Sequence, residues 1–571
     1  MPIKIAAYSN CDDALIYWRI EQPIKNCLGF ALEREMKDAN GVARNFVENR
    51  TGFASQPGQP GERRPSNQWP FQRFSWTDHK VNTGDTVRYR VTAVVTDGDG
   101  GLELDLNQQS VWTPWLTLSG KVDANFEVYF NRGLVISQFM SRYLKKLQDE
   151  NGWTFTQALQ GFKQQIKQHE APIRQFLSGE LRLSALKLLK EALDSSGHIY
   201  AVLFELGDEE LIEALCKLKG RAHVVLADGS VKSPGEDENE EARDTLKQAG
   251  VEVVDRMVCK RSGGPLGHNK FLVLCDSASK PTTVLTGSMN WTPTGLCTQI
   301  NNSIIINDSK SAGLYLDQWH RLKAAGDKYP PTLVAENSKP KQANVGGKPV
   351  TVWFTRTQGE VDSEALDDEV AKAKEAILFL MFMPGGAGLY KTVRDRMKQS
   401  PKLYVHGVVS TLPKLDDESE ADAVTIGPSG EHKVRLEVVQ PQGIKTPFAS
   451  WAATVLRPTF TSNIGHAIVH SKLVVIDPFT NPVVITGSHN FSGNASKKND
   501  ENFVIVRDNK ELAAAYAAHV LSVYQHYRWL AYVNGKQAEG EIPWSGLQHD
   551  DRWQQGHLKG NSLRELQFWV P

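Results

Sequence analysis

The sequence predicts an α/β protein with two duplicated α/β lobes related by a pseudo-twofold axis, preceded by an all-β sandwich and a helical connector. Three observations carry this. Short alternating strands separated by Gly, Pro, Asn and Asp fill residues 1–120. Apolar residues recur at three and four from Asn131 to Ser196. The remainder reads as one strand–helix unit written twice.

At 571 residues the chain is too long for one core, and its apolar and charged fractions are those of a globular protein. The formal net charge of −1 excludes a global basic field for holding a polyanion. The cysteines, Cys11, Cys27, Cys216, Cys259, Cys275 and Cys297, show no metal-ligand spacing, so we expect buried thiols in a reducing, cytoplasmic setting. The N-terminal stretch lacks a secretory pattern. The longest apolar run, Ala376 to Met383, is too short to span a bilayer.

The first segment reads as strands: "ALIYWRIEQ", "LGFALERE", "QRFSW", "TVRYRVTAVV" and "SVWTPWLTL". "RFSWTDHKVNTGDTVRYRVTAVV" resembles the tyrosine-corner region of fibronectin type III domains, an immunoglobulin-like sandwich. That resemblance implies Tyr89 in the corner strand, Trp18 in the core, and a spacer or docking role without chemistry. A helical connector over 121–196 follows, with "SRYLKKLQDENG", "FTQALQGFKQQIKQ" and "LRLSALKLLKEALDSS".

The first lobe, 197–335, runs from strand "IYAVLFEL" through helix "DEELIEALCKLKG" and strand "AHVVLADG" to "GHNKFLVLCD", "TTVLTGSMNW" and "NNSIIINDSK". The second, 349–534, runs from "AILFLMFM" through "GLYKTVRDRMKQS" and "KLYVHGVVS" to "VHSKLVVID", "PVVITGSHNF" and "DENFVIVRDNK". Ser488 stands 200 residues after Ser288, and Asp508 stands 200 after Asp308. A linker, 336–348, joins the lobes. An irregular tail with Trp544, Trp553 and Trp569, 535–571, is expected to wrap one of them.

Polar residues recur at fixed places on these apolar strands. His268 and Lys270 share one strand face, as do His470 and Lys472, and Ser288 and Asn290 repeat as Ser488 and Asn490. Burying these groups together costs several kcal/mol unless they find partners, so the two sets are expected to meet around an anion. A lone His-x-Lys or Gly-Ser-x-Asn is common. Both together, twice and in register, are not.

These motifs resemble those of the phospholipase D superfamily: His-x-Lys-x4-Asp followed by Gly-Ser/Gly-x-Asn, usually twice. The second copy matches in full through His470, Lys472, Asp477, Gly487, Ser488, Asn490 and Glu501. In the first, Asp276 lies one residue too far from Lys270, and Asn301 stands where Glu501 does.

The resemblance implies a phosphodiesterase without cofactor or metal, using a phosphohistidine intermediate. Lys270, Lys472, Ser288, Asn290, Ser488 and Asn490 would hold the phosphate. Glu501 would sit behind His268 and make it the nucleophile, leaving His470 as an acid/base that begins protonated. Asp276, Asp477 and Asn301 would be structural. The expected substrate is a phospholipid headgroup ester at a membrane surface, hydrolysed to phosphatidate and alcohol. A nuclease acting on DNA or RNA is the first alternative and a non-catalytic phosphate-recognition module the second. Duplication within one chain implies that a monomer suffices.

Three other features stand out. His406 reads as a core histidine, and the acidic run around Glu236 to Glu241 reads as a solvated loop. Phe448, Trp451 and Phe460, with Lys445 and Arg457, read as a rim or lid on the approach to His470.

Overall fold

The computed structural model describes residues 3–410 (apart from 39–40, 57, 60–61, 98–99, 232 and 386–387), then 423–425, 436–439, 469–538 and 546–571. The chain divides into two compact units, residues 1–120 with 536–571, and residues 121–535.

The first unit is β-rich. One antiparallel sheet joins Lys4–Ser9, Ala14–Arg19 and Ser75–Asp78. A second runs Leu116–Thr117, Thr86–Thr96, Cys27–Asp38, Gly41–Phe46, with Leu102–Gln109 also paired to Thr86–Thr96. Trp18 is fully buried against Phe30, and the Tyr89 hydroxyl donates to Asp78 Oδ2 at 3.1 Å. The tail departs from expectation, because it is ordered and belongs to this unit rather than to a lobe. Gly560–Trp569 is a helix whose Trp569 ring stacks on Tyr17 with centroids 5.3 Å apart. Trp553 packs on Phe30 and Phe74 and donates its indole N–H to the Cys27 carbonyl. Burial of large aromatic rings at 25 cal/mol per Å2 or so makes the tail a structural part of this core. Trp544 lies outside the described residues.

In the second unit, one seven-stranded sheet runs in the order Phe126–Phe130, Asn302–Ile306, Pro281–Gly287, Lys270–Cys275, His198–Leu203, Ala222–Ala227, Glu252–Arg256. The second sheet has nine strands. Its order is Lys341–Val345, Lys348–Phe354, Asn502–Arg507, Val483–Gly487, Leu473–Ile476, Ala376–Met381, Tyr404–Val409, Leu436–Val439, Ala423–Thr425. In each, one inner strand (His198–Leu203 or Ala376–Met381) pairs antiparallel with the strand after the His-x-Lys and parallel with its other neighbour. The sheets are therefore mixed. Lys270–Cys275 and Ala376–Met381 are buried at every position, which explains why they read as unbroken apolar runs.

Two expectations about the joins are corrected. The connector, expected to be helical, also contains a strand: Phe126–Phe130 is the edge strand of the first sheet. Its helix Pro172–Asp194 is tied to that lobe by Arg174, fully buried and bidentate to Asp208 at 2.7 and 2.9 Å. The linker, 336–348, holds strand structure as well. Lys341–Val345 and Lys348–Phe354 form a hairpin through Gly346 and Gly347, whose φ values of 56° and 84° suit a two-residue turn that β-carbons would strain.

The helices after the closing strands, Ser309–Ala325 and Lys510–Ala538, begin alike. Asp308 accepts from Ser311 N and Asn509 accepts from Leu512 N, satisfying donors that a helix start leaves open. His406 is buried between Tyr404 and Tyr524, a core histidine as read. The rim residues Lys445, Phe448, Trp451, Arg457 and Phe460 lie outside the described residues.

Candidate active site

Each His-x-Lys segment enters its strand by pairing with the other lobe. Gly267 bridges to Asp500 and Val469 to Ile300, with Asp500 N donating to Leu266 O at 2.8 Å and His470 N to Ile300 O at 3.0 Å. These two reciprocal crossings set each histidine beside the residue that follows the bridge.

His268 Nδ1 and Glu501 Oε2 are 2.7 Å apart, and His470 Nδ1 and Asn301 Oδ1 are 2.9 Å apart, both pairs buried. His470 Nδ1 also lies 3.1 Å from the Ser288 carbonyl. A carboxylate or carbonyl at Nδ1 holds that proton and leaves Nε2 as the working nitrogen.

Glu501 is fully buried and accepts from Ser488 Oγ at 2.8 Å and from Asn499 Nδ2 at 3.1 Å. In the reciprocal position Ser288 Oγ donates to Asn301 Oδ1 at 2.8 Å. This corrects the expectation that Ser288 and Ser488 bind phosphate, because both hydroxyl protons are committed to the groups that back the histidines. Gly287 and Gly487 explain the placement. A β-carbon on either would lie 2.3 Å from the Asn302 or Asn502 carbonyl, which accepts the following serine's N–H.

The lysines are matched as well. Lys270 Nζ donates to the His268 carbonyl at 2.7 Å and Lys472 Nζ to the His470 carbonyl at 2.5 Å. Lys270 lies 4.8 Å from the Phe204 ring centre, and Lys472 lies 4.8 Å from that of Phe382. The same two rings pack on His268 and His470, at 4.7 and 4.8 Å.

The two lysines and two histidines influence one another electrostatically. Burial lowers Lys270 to about 7, against the pull of Glu501 and Glu205. Lys472 is lowered well below its ordinary value, by burial and then by Lys270. Burial lowers His268 to about 4 although Glu501 opposes it, and His470 is depressed well below its ordinary value by burial, Lys472, Lys270 and His268. Burial and the neighbouring lysines thus favour the neutral form of both imidazoles in the unliganded site, against the expectation that His470 begins protonated. A dry pocket disfavours every charged form, and the nearby lysines add to that cost for each imidazole.

The aspartates serve the strands. Asp477 accepts from Lys374 N, Glu375 N and Ala376 N at 2.8 Å each and so anchors the start of Ala376–Met381. Asp276 instead closes its own turn, accepting from Ala278 N and Lys280 N. A register shift between Leu274 and Cys275 accompanies its displacement, and Cys275 stands where Asp477 does in the other copy. Among the described residues no group of three or more His, Cys, Asp and Glu could hold a metal ion, and no helix is long and apolar enough to cross a membrane.

Several residues of this site were not anticipated. Asn302 and Asn502 cross between lobes: Asn302 Nδ2 donates to Thr486 Oγ1 at 2.8 Å, and Asn502 Nδ2 to Asn269 Oδ1 at 2.8 Å. Arg256 and Asp500, each with a side chain 1% exposed, pair across the lobes at 2.9 Å. The 200-residue register that relates Ser288 to Ser488 also relates Asn302 to Asn502 and was the available signal. Arg256 had none.

A family model described as cardiolipin synthase, phospholipase D-like domain, matches residues 186–323 and 432–523. These ranges hold both His-x-Lys pairs, both Gly-Ser-x-Asn segments, Asn301 and Glu501. The matched ranges belong to the phospholipase D superfamily. No curated protein matches the chain. Among solved structures, the phospholipase D-like chain is similar to phosphatidylserine synthase of Haemophilus influenzae Rd KW20, at 12% identity and a TM-score of 0.40, covering 61% of this chain and 85% of that one. It is similar to polyphosphate kinase of Porphyromonas gingivalis at 11% identity and a TM-score of 0.37, covering 56% of this chain but 45% of that one. The phospholipase D family member Nuc of Salmonella typhimurium matches at 18% identity and a TM-score of 0.19, covering 33% of this chain and 96% of that one.

Proposed function

We propose that the protein hydrolyses phospholipid headgroup esters to phosphatidate and alcohol, at a site shared by two duplicated phospholipase D-like lobes about a pseudo-twofold axis. The observation that carries this is the reciprocal backing of the histidines, Glu501 behind His268 and Asn301 behind His470. The fibronectin type III-like unit is a spacer or docking element in this reading, and one chain suffices.

In the proposed reaction the phosphate monoanion enters between Lys270 and Lys472, with Asn490 at its edge. Its charge offsets the repulsion that depresses His470, and His470 gains a proton as the anion binds. His268 Nε2 attacks phosphorus while Glu501 takes up the positive charge that develops on the ring. The phosphorus–oxygen bond to the alcohol breaks, and His470 gives its proton to the leaving oxygen. His470, now neutral, takes a proton from water, whose oxygen displaces His268 and completes hydrolysis. Ser288 and Ser488 act behind this chemistry by orienting Asn301 and Glu501. The match to a cardiolipin synthase domain family supports a lipid alcohol ester as substrate.

The test is headgroup release from phosphatidylcholine vesicles in chelator, by the wild-type protein and by His470→Ala. Release that requires His470 is expected. Metal-free degradation of single-stranded DNA with no lipid turnover would make the protein a nuclease instead. Phosphate binding with neither activity would make it a recognition module.

A further inference from the structure

Asn290 and Asn490 close the two Gly-Ser-x-Asn segments at matched places, but their surroundings differ. Asn290 Nδ2 donates to Glu205 Oε2 at 2.8 Å. A carboxylate offers only acceptors, so this contact fixes which end of the amide faces Glu205 and turns Oδ1 away from it. That oxygen belongs to a residue 4% exposed, is itself buried, and meets no donor among the described residues. In the second lobe Met383 follows Phe382 where Glu205 follows Phe204, so no such carboxylate holds the Asn490 amide. Asn490 can turn its N–H groups toward an anion. Asn290 cannot.

The segment around Asn290 links both halves of the pocket. Two residues before it, the Ser288 carbonyl lies 3.1 Å from His470 Nδ1. One residue after it, Trp291 N donates to the Glu205 carbonyl at 3.1 Å. Glu205 in turn follows Phe204, the ring that packs on His268 and Lys270. The Asn290 amide thus ties the backing of the proposed acid to the cover of the proposed nucleophile. A buried carbonyl oxygen left without a donor is destabilising. The non-bridging oxygens of a phosphodiester are acceptors and cannot relieve it, whereas a water molecule can.

We propose that Asn290 is a specificity-determining residue that selects water over alcohols as the molecule that releases the phosphoryl group from His268. This rests on the phosphodiesterase reading above and concerns its second step. Water carries two protons. One passes to His470 Nε2, and the other stays on the oxygen and is held by Asn290 Oδ1. The oxygen bonds to phosphorus, the phosphorus–nitrogen bond breaks, and its electron pair returns to His268 Nε2. The product is a phosphate monoester bearing the retained proton, and His470 is left protonated for the next leaving group. An alcohol carries one hydroxyl proton. His470 takes it, and the carbon in place of the other proton leaves Asn290 Oδ1 unpaired. A site built to hydrogen-bond one molecule rejects the analogue that cannot satisfy it.

The experiment follows turnover of bis(p-nitrophenyl) phosphate in chelator with ethanol added. It separates p-nitrophenyl phosphate, the hydrolysis product, from ethyl p-nitrophenyl phosphate, the transfer product. Both come from one adduct, so their ratio does not depend on the amount of folded protein or on the first step. In the wild-type protein the ethyl ester should form a smaller share than ethanol's mole fraction. Asn290→Leu, similar in volume but without an acceptor, should raise the transfer-to-hydrolysis ratio about tenfold, the worth of one hydrogen bond. Glu205→Ala, which lets the Asn290 amide turn its N–H groups inward, should raise it as well. An unchanged ratio in either variant overturns the proposal, as does a wild-type share of ethyl ester above the mole fraction. The wild-type measurement stands even if neither variant folds. Failure of the wild-type protein to release p-nitrophenolate removes the phosphodiesterase reading and this inference with it, whereas release with ethyl ester in excess removes this inference alone.

Discussion

Replacing Glu501 with Gln separates charge from shape at the proposed nucleophile. The side chains are nearly isosteric, and a glutamine oxygen facing His268 and Ser488 keeps both of those hydrogen bonds. Its amide then faces Asn499 Nδ2, a donor against a donor, and Asn499 cannot flip freely because its Oδ1 accepts from Leu266 N at 3.1 Å. That mismatch costs about 1–2 kcal/mol of stability. The catalytic cost is larger. An imidazole bonded to phosphorus carries a positive charge, and its charge centre lies beyond the 2.7 Å contact, at about 4 Å from the carboxylate centre. At an effective dielectric of about 20 that interaction is worth about 4 kcal/mol, or about three decades in rate. The assay is kcat on a soluble phosphodiester at pH 6, with circular dichroism to show that the variant is folded. Asn301→Ala, which removes only a neutral acceptor, should cost about tenfold. If Glu501→Gln keeps kcat within tenfold of wild type while Asn301→Ala abolishes it, the assignment of nucleophile and acid is reversed.

The pH dependence of kcat/KM, which reports ionisations of the free protein, should be bell-shaped. His268 must be neutral to attack, and its value lowered to about 4 puts the rising limb there. Lys270 must be charged to hold phosphate, and its value lowered to about 7 means that activity falls as pH rises through 7. A profile still rising at pH 8 would contradict this. Arg256→Met should cost about 3–5 kcal/mol in chemical denaturation, because it strands the buried Asp500 carboxyl, whose pKa burial already raises while Arg256 pulls it down. A loss under 1 kcal/mol would show that the ion pair does not hold the lobes.

Much of this site was legible in the sequence because its parts lie on strands with fixed spacing. His268 with Lys270 and His470 with Lys472 stand two apart at strand entries, and the copies keep one register from Ser288 to Asp308. Glu501 was legible through the departure at Asn301. What escaped was set by hydrogen-bond geometry. Nothing in Gly-Ser-x-Asn says that the serine hydroxyl turns back to Asn301 or Glu501, and that depends on the close approach at Gly287 and Gly487. The protonation of His470 escaped because it depends on burial and on the lysine of the opposite lobe. The hairpin at Lys341–Phe354 was hidden by its Lys, Asn and Gly content, which reads as linker until the edge of a sheet is there to receive it. The tail helix carries few apolar residues, and the aromatic partners that bury Trp553 and Trp569 lie more than 450 residues earlier in the chain.

The most direct measurement is to quench the protein in base during turnover of a soluble phosphodiester and locate the bound phosphoryl ester by mass spectrometry of its peptides. The account predicts the substrate's phosphoryl group, still carrying its second ester, on His268, enriched in His470→Ala, where the leaving-group and water steps are impaired. That adduct on His470, or none on either histidine under steady turnover, would contradict it.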